Sequence, residues 1–429
     1  MELKKSGSRK KIGIVGAGLS GLTLAKKLSL AGHEIFLFDR SPLGIASYEV
    51  VDGIPIHHVG GHCLSQKNES VVEFIYKHVL PVEYWRTVER KALVELNPGI
   101  NVSYPIELSV GQSGWRKDLV KKIISELTIL QRSELKNPLT LHEYLEQNFG
   151  KTLTQLYFNP YNTKIWCEDP KKLDYEWVKD KTPQVSIEQI LNVINENNHE
   201  RFKDTDHAVF KYPKINESGT NKFLRNFSKL HQIIPEKIQK ISKIGEAYSL
   251  ITDEESEYEV DTVIYTARLD ALPKILGCEI KNISNLEINS VTVAAVRGPS
   301  SDFTWKYIPD KDLCFHRIIN MSYFSGRQSD EQHIYAIETT GIIDKHKIIR
   351  SIENYNKEFK ILKILSPKLG YIKFKPDQQS IVHDIKKIAH ERNIYLCGRF
   401  ATWSYDNADI CISHALQLAE TIIGHQEDK

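Results

Sequence analysis

The chain reads as an α/β protein: a discontinuous Rossmann-like dinucleotide-binding domain with an inserted helical domain and a mixed or antiparallel β-sheet domain. Three observations predict this. First, Lys11 to Asp39 runs as a β-branched strand (KIGIV), a Gly16-Ala17-Gly18-Leu19-Ser20-Gly21 turn, an amphipathic helix closed by Gly32, and a second strand (EIFLF) ending at Asp39. Second, a strand running into Gly398 (NIYLCGRF) and an apolar-periodic helix (ADICISHALQLAETII) recur at the far end. Third, the stretch between changes character, helical at first and then rich in short strands.

The glycine motif carries chemistry because of its context. Gly16 permits a tight turn, Gly18 lets backbone approach a pyrophosphate, and Gly21 lets helix and strand pack closely. The helix N-terminus then offers free N–H groups to phosphate oxygens. Asp39 is placed to accept from ribose hydroxyls, with Arg40 beside it. The motif alone does not separate NAD from FAD. A second strand–glycine–helix unit that returns the C-terminus to the same sheet argues against NAD-only dehydrogenases and for FAD. The Gly60-Gly61-His62 segment follows a short apolar run, so close approach of backbone to a ligand is expected there.

The 429 residues exceed what one core usually holds. The expected division is 10–95, 201–265 and 386–425 for the three parts of the FAD domain, 96–200 for a mainly helical substrate domain, and 266–385 for a β-sheet substrate domain. A formal net charge of +2 argues for neither a nucleic-acid nor a membrane partner. No run approaches the roughly 20 apolar residues of a membrane span, and no secretory pattern opens the chain, so a cytoplasmic protein is expected. The six cysteines show no CxxC and no zinc spacing, and read as reduced, mostly buried thiols. The first nine or so residues and the HQEDK tail read as disordered.

Within the middle, DLVKKIISELTIL, LTLHEYLEQNFG (closed by Gly150) and SIEQILNVINENN have helical spacing. Between them lies Tyr157-Phe-Asn-Pro-Tyr161-Asn162-Thr-Lys164-Ile-Trp166. Aromatics interleaved with Asn and Lys suit a site that stacks a base and binds phosphate. YSLITDEESEYEV reads as a hairpin leading to the buried strand VDTVIYTA. VTVAAVRG, FTWKYIP, CFHRIIN and HIYAIETT follow as strands able to floor a ligand site.

In this order, GAGLSG, VGGHCLS, VSYPIEL, FNPYNTKIW with Trp177, CFHRI with Tyr323, and GRFATWSYDNAD resemble the UDP-galactopyranose mutase family, particularly its eukaryotic-type branch, over nearly the whole chain. The resemblance implies FAD, active when reduced, and interconversion of pyranose and furanose forms of a nucleotide sugar through a sugar adduct at flavin N5. It implies catalytic roles for Arg317, Lys181 and His62. Gly16, Ala17, Gly18, Ser20, Gly21, Asp39, Arg40, Gly60, Gly61, Gly398, Arg399, Asn407 and Asp409 would hold the cofactor. Tyr104, Glu107, Tyr157, Asn162, Trp166, His207, Trp305, Tyr307, Tyr323 and Tyr405 would line the substrate. It implies a nucleotide-sugar partner, a reductant such as NAD(P)H or a flavin, and no nucleic acid, and it admits a homo-oligomer.

The chain departs from that pattern where Lys181 replaces a second diphosphate arginine, keeping charge but losing the bidentate fork. Glu107 stands for a glutamine and His207 for an asparagine. Lys375-Pro376 occupies the place of a late YP tyrosine, and a ring-facing glycine segment is reduced around Gly219 and Thr220. Two other readings stand beside the mutase: a redox flavoenzyme of the amine-oxidase and protoporphyrinogen-oxidase group, and a flavin-binding protein without catalysis.

Overall fold

The computed structural model describes residues 9–132, 137–179, 186–196, 208–327 and 331–424. Lys181 and His207 lie outside the described residues, as do the two termini expected to be disordered. A parallel five-stranded sheet is ordered Ile394–Leu396, Thr262–Tyr265, Lys11–Val15, Glu34–Phe38, Ile233–Ile234. Strands from both chain ends and from the middle therefore share one sheet, as the two glycine units predicted. Its N-terminal strand is buried on both faces, which is why KIGIV is a near-continuous apolar run rather than an alternating one. The helices Leu19–Leu30 and Ala408–Gly424 pack on each other beside this sheet.

A second sheet of eight strands is built around the long strand Ile288–Pro299, which pairs with Gln332–Thr340 on one side and with Lys360–Ile364 and Lys368–Ile372 on the other. Beyond Gln332–Thr340 come Arg317–Asn320, Trp305–Tyr307, Ala92–Asn97 and Ile100–Ser103. All these pairings are antiparallel except Trp305–Tyr307 with Ala92–Asn97. The strand Ala92–Asn97 falls largely in the stretch expected for the first dinucleotide-binding part, yet it pairs into this second sheet. We propose the domain division given above with that crossing moved ahead of Ala92.

The helical insertion forms as read, with helices Lys117–Gln131, Leu141–Leu153 and Ile187–Glu196. Gly150 does interrupt the second of them, with φ +79, but the chain resumes helical geometry at once. The Glu126 carboxylate satisfies the restarted turn, accepting from the Thr152 N–H and hydroxyl at 2.7 Å each. The aromatic segment after it is helix, a π-turn over Thr154–Phe158 followed by Asn159–Trp166. π-turns of this kind often mark functional sites. Among the described residues no helix is long and apolar enough to cross a membrane, and no cluster of His, Cys, Asp and Glu has the makings of a metal site. All six cysteines are free. Cys397 and Cys411 are buried and Cys167 is exposed, so burial is less general than expected.

Candidate active site

The glycine turn is built as its spacing requires. Gly16 has φ +107, and its N–H donates to the Phe38 carbonyl at 2.8 Å, tying the turn to the second strand. A Cβ on Gly21 would lie 1.9 Å from the Gly16 carbonyl oxygen, so only glycine fits where the helix meets the turn. A Cβ on Gly18 would meet nothing within 4 Å, so backbone there faces open space. Gly18 is the N-cap of the helix, no side chain caps it, and its first turn carries no acid. Free N–H groups at an open, uncapped N-terminus fit a pyrophosphate. The Asp39 carboxylate accepts from the Ala17 N–H at 2.7 Å and the Ser41 N–H at 2.9 Å, which holds it against the turn. Ser20 is buried, and its hydroxyl donates to the Cys411 carbonyl at 3.3 Å, linking the first helix to the last. Arg40 instead forms ion pairs with Asp253 and Glu254. Gly398 has φ +91, Asn407 is exposed, and Asp409 lies in the first turn of the final helix.

Strand register assembles the second half of the site. Arg317 pairs across to Glu338 on one neighbouring strand and to Tyr307 on the other, so the three stand in one row. Glu338 is 0% exposed and accepts from the Arg317 guanidinium. Tyr371 donates to Glu338 at 2.8 Å, and Arg317 donates to the Tyr371 hydroxyl at 2.8 Å. Burial works against both charges, but each outweighs it for the other: Glu338 stays below the usual carboxylate range and Arg317 well above its ordinary value. The Gly60 N–H donates to Glu338 at 3.3 Å, bringing the Gly60–Gly61–His62 loop onto this pair. A Cβ on Gly61 would press on Phe324 at 3.0 Å.

His62 is held by its Nε2, which donates to the Ile45 carbonyl at 3.1 Å. Burial first, and then the nearby Arg399 and Arg317 charges, lower its pKa, so the ring is neutral. With Nε2 carrying the proton, Nδ1 is left as an acceptor. Arg399 lies over the rings of Tyr405 (4.5 Å) and Tyr371 (5.6 Å) and donates to the Gly370 carbonyl at 3.1 Å. Its Nε is buried with no hydrogen-bond partner among the described residues.

Aromatic rings continue outward from Arg317. Tyr161 meets Tyr307 (5.4 Å), Tyr157 (5.5 Å) and His316 (5.8 Å), and Tyr104 packs on Tyr307 at 4.8 Å. Trp166 contacts Tyr405 (5.3 Å), Tyr371 (5.8 Å) and Trp177 (4.6 Å). Asn162 is spent on orientation: its carbonyl accepts from Trp166 Nε1 at 2.9 Å and its amide donates to the Phe158 carbonyl at 2.8 Å. Lys164 serves the wall too, donating to the Ile308 and Asp310 carbonyls at 2.8 and 2.7 Å. Trp305 packs on Phe324 (4.7 Å) and Phe210 (5.1 Å), a core setting. The Tyr323 ring lies under Lys91 at 6.0 Å, and its carbonyl accepts from Arg86. Glu107 is buried on the short helix Ile106–Ser109. A surface recess lined by Lys27, Glu73, Lys77, His78 and Glu420 shares no residue with this cluster.

Reading the sequence missed Glu338, Tyr371, Tyr161 and Arg90. Glu338 had a signal, a carboxylate inside the apolar run HIYAIETT, where an unpaired charge would be costly. Tyr371 lies four residues before the Lys375-Pro376 pair set in the place of the late tyrosine, and it supplies the hydroxyl between Arg317 and Glu338. Arg90, between the rings of Tyr104 (5.5 Å) and Trp305 (5.4 Å), had none.

Fold and site together define a two-sheet dinucleotide-binding protein with a buried arginine–carboxylate pair and an aromatic wall beside the cofactor cradle. Residues 14–79 match the NAD(P)-binding Rossmann-like domain family. The chain is 21% identical over 427 residues to a dTDP-fucopyranose mutase of Escherichia coli, covering 97% of this chain and 100% of that protein. It is 30% identical over 174 residues to a probable UDP-galactopyranose mutase of Klebsiella pneumoniae, covering 39% and 43%. Its fold matches the crystal structure of a reduced UDP-galactopyranose mutase with a TM-score of 0.82 at 19% identity, over 97% of this chain and 94% of that one. The resemblance seen in the motifs is thereby borne out: the relatives are nucleotide-sugar mutases.

Proposed function

We propose that the chain is a flavin-dependent mutase that interconverts pyranose and furanose forms of a nucleotide-activated sugar. The observation that carries this reading is the convergence on His62 of the Arg317–Glu338 pair and Arg399, next to an uncapped helix N-terminus suited to a dinucleotide. The full-length likeness to a dTDP-fucopyranose mutase supports it.

FAD is the cofactor we assign. The turn from Gly16 to Gly21 and the free helix N-terminus would hold its pyrophosphate, and Asp39 its ribose. Bound in reduced form, FAD supplies the nucleophile for exchange of the sugar–diphosphate bond, so no side chain is needed in that role. The side chains bind, orient and neutralise. Arg399 has no carboxylate partner among the described residues, so its charge is available to a diphosphate. Arg317 is already neutralised by Glu338 and contributes direction rather than net charge. Lys181 is assigned the remaining diphosphate contact. His62 Nδ1, neutral and fixed in tautomer, accepts a proton or hydrogen bond at the reacting face. The tyrosines of the wall exclude water around the sugar. NAD(P)H or a reduced flavin would supply electrons.

The direct test is anaerobic reduction with dithionite, mixing with UDP-, dTDP- and GDP-sugars, and trapping with cyanoborohydride. We expect the extracted flavin to gain one sugar-sized mass from one of them. Unmodified flavin across the panel, with no thermal protection by any nucleotide sugar, would sink the mutase reading in favour of redox chemistry. A second expectation concerns Lys181. Lys181→Arg restores the bidentate fork and keeps or raises turnover, whereas complete loss would remove this position from the diphosphate site.

A further inference from the structure

Glu107 sits directly after the Tyr104–Pro105 bond, on a one-turn helix that is firmly held. Ser109 Oγ donates to the Ile106 carbonyl at 2.8 Å, and Trp115 Nε1 donates to Ser109 Oγ at 3.2 Å. The residue is 2% exposed. No cation pairs with its carboxyl among the described residues. The groups that act on or feel it are its own backbone N–H and the phenols of Tyr104 and Tyr157. The helix Ile187–Glu196 packs on it through the segment that buries Ile190, Leu191 and Val193, while Glu188 and Glu196 point to solvent. The strand Ile100–Ser103, also against it, has no titratable side chain. Burial accordingly pushes the Glu107 carboxyl up to about 7.

A buried carboxyl without a partner is an exception that needs a reason. Here it lies at the edge of a tyrosine wall in which Tyr104 packs on Tyr307, and Tyr157 stacks on Tyr161 with an interplanar angle of 18°. Flat rings with one polar group at their rim suit a planar heterocycle, which stacks on the faces and pairs at its edge. We propose that Glu107, as the neutral acid, reads the imide edge of a uracil or thymine base in the substrate nucleotide.

The chemistry selects that class. A neutral carboxyl presents one O–H donor beside one acceptor, whereas a carboxylate only accepts. An imide presents C=O beside N–H, so it forms two bonds with the acid and would set its carbonyl against the carboxylate. A guanine edge, with adjacent N–H donors, demands the carboxylate instead. An ionised Glu107 with no cation near it is the costlier state to bury. The inference rests on the nucleotide-sugar reading and adds to it the base and a proton.

Calorimetric titration of the full chain with UDP-galactose, dTDP-glucose and GDP-mannose at pH 6 and pH 8 tests it. The ligand takes the protonated form, so affinity is flat below the Glu107 midpoint and falls as pH rises through it. With that midpoint at about 7, pyrimidine-sugar affinity should drop about tenfold between pH 6 and pH 8. Glu107→Gln, whose amide offers the same donor and acceptor, should bind at both pH values as the parent binds at pH 6. Parent affinity independent of pH, an unchanged pH profile in Glu107→Gln, or GDP-mannose bound best and tightening with pH would each overturn the proposal. If none of the three binds, the nucleotide-sugar reading falls with it. If pyrimidine sugars bind with the stated pH dependence but transfer nothing to flavin, the Glu107 role stands and the mutase reading fails.

Discussion

Arg317→Ala should be about 3–5 kcal/mol less stable than the parent, the usual cost of breaking a buried ion pair from one side. The reason is Glu338. Without Arg317, a fully buried carboxylate keeps only the Tyr371 hydroxyl and the Gly60 N–H as donors. The pH dependence follows in sign. In the parent, Arg317 opposes burial and holds Glu338 below its ordinary value, so the pair stabilises the fold above the carboxylate range and less as pH falls through it. In the variant burial is unopposed, the carboxyl rises, and protonation relieves the strain. The deficit relative to the parent should therefore shrink as pH is lowered from neutral. Adding Glu338→Gln should recover part of it at neutral pH. Turnover should fall by at least about a hundredfold in the protein that remains folded, because Arg317 also orients the group beneath His62. Urea unfolding at two pH values, with turnover at the higher, measures all of this. Equal stability of Arg317→Ala and parent would show that the pair is not buried as described. Sequence reading alone assigned Arg317 to substrate contact; the structure makes it a structural cation as well.

Gly21→Ala should be the most damaging single methyl group in the chain. Its Cβ would lie 1.9 Å from the Gly16 carbonyl oxygen and 3.1 Å from Thr266 Oγ1. Thr266 is itself bonded to the Val15 and Gly16 carbonyls at 3.0 and 2.9 Å, so the turn cannot yield cheaply. Relief requires the helix Leu19–Leu30 to move off the strand, which also withdraws its N-terminus from any pyrophosphate. We expect a loss of about 3 kcal/mol or more together with flavin-free protein on purification. Gly18→Ala is the control: its Cβ meets no protein atom within 4 Å, so the fold should persist while dinucleotide binding weakens. Melting temperature and the flavin absorbance of purified protein decide the matter. A Gly21→Ala variant that melts with the parent and retains flavin would contradict the packing described.

The dinucleotide half of the protein was legible in the sequence because its determinants are local. Gly16, Gly18, Gly21 and Asp39 lie within one strand–turn–helix–strand unit, and each is required by backbone geometry that neighbours in sequence impose. The discontinuous sheet was legible because a second strand–glycine–helix unit repeats that local signal near Gly398. The helical insertion and the strands after Val291 followed from periodicity, which is local too. The Tyr157–Trp166 stretch could be recognised as chemically rich, although its π-turn could not be foreseen.

The buried pair was a different matter. Arg317 and Glu338 are 21 residues apart and Tyr371 is 33 further on. Only the register of antiparallel strands sets Arg317 opposite Glu338, and a slip by one residue would turn either side chain to the other face. Arg40, beside Asp39 in sequence, is drawn off by Asp253 and Glu254, and Trp305 is taken into the core by Phe324 and Phe210. Nor does any neighbour in sequence foretell that Glu107 would be buried without a cation. The sequence by itself determined the cofactor cradle, because turn and helix geometry are written in adjacent residues. Only the tertiary structure decided which charges face one another and which stand alone, because burial and pairing are properties of residues brought together from distant parts of the chain.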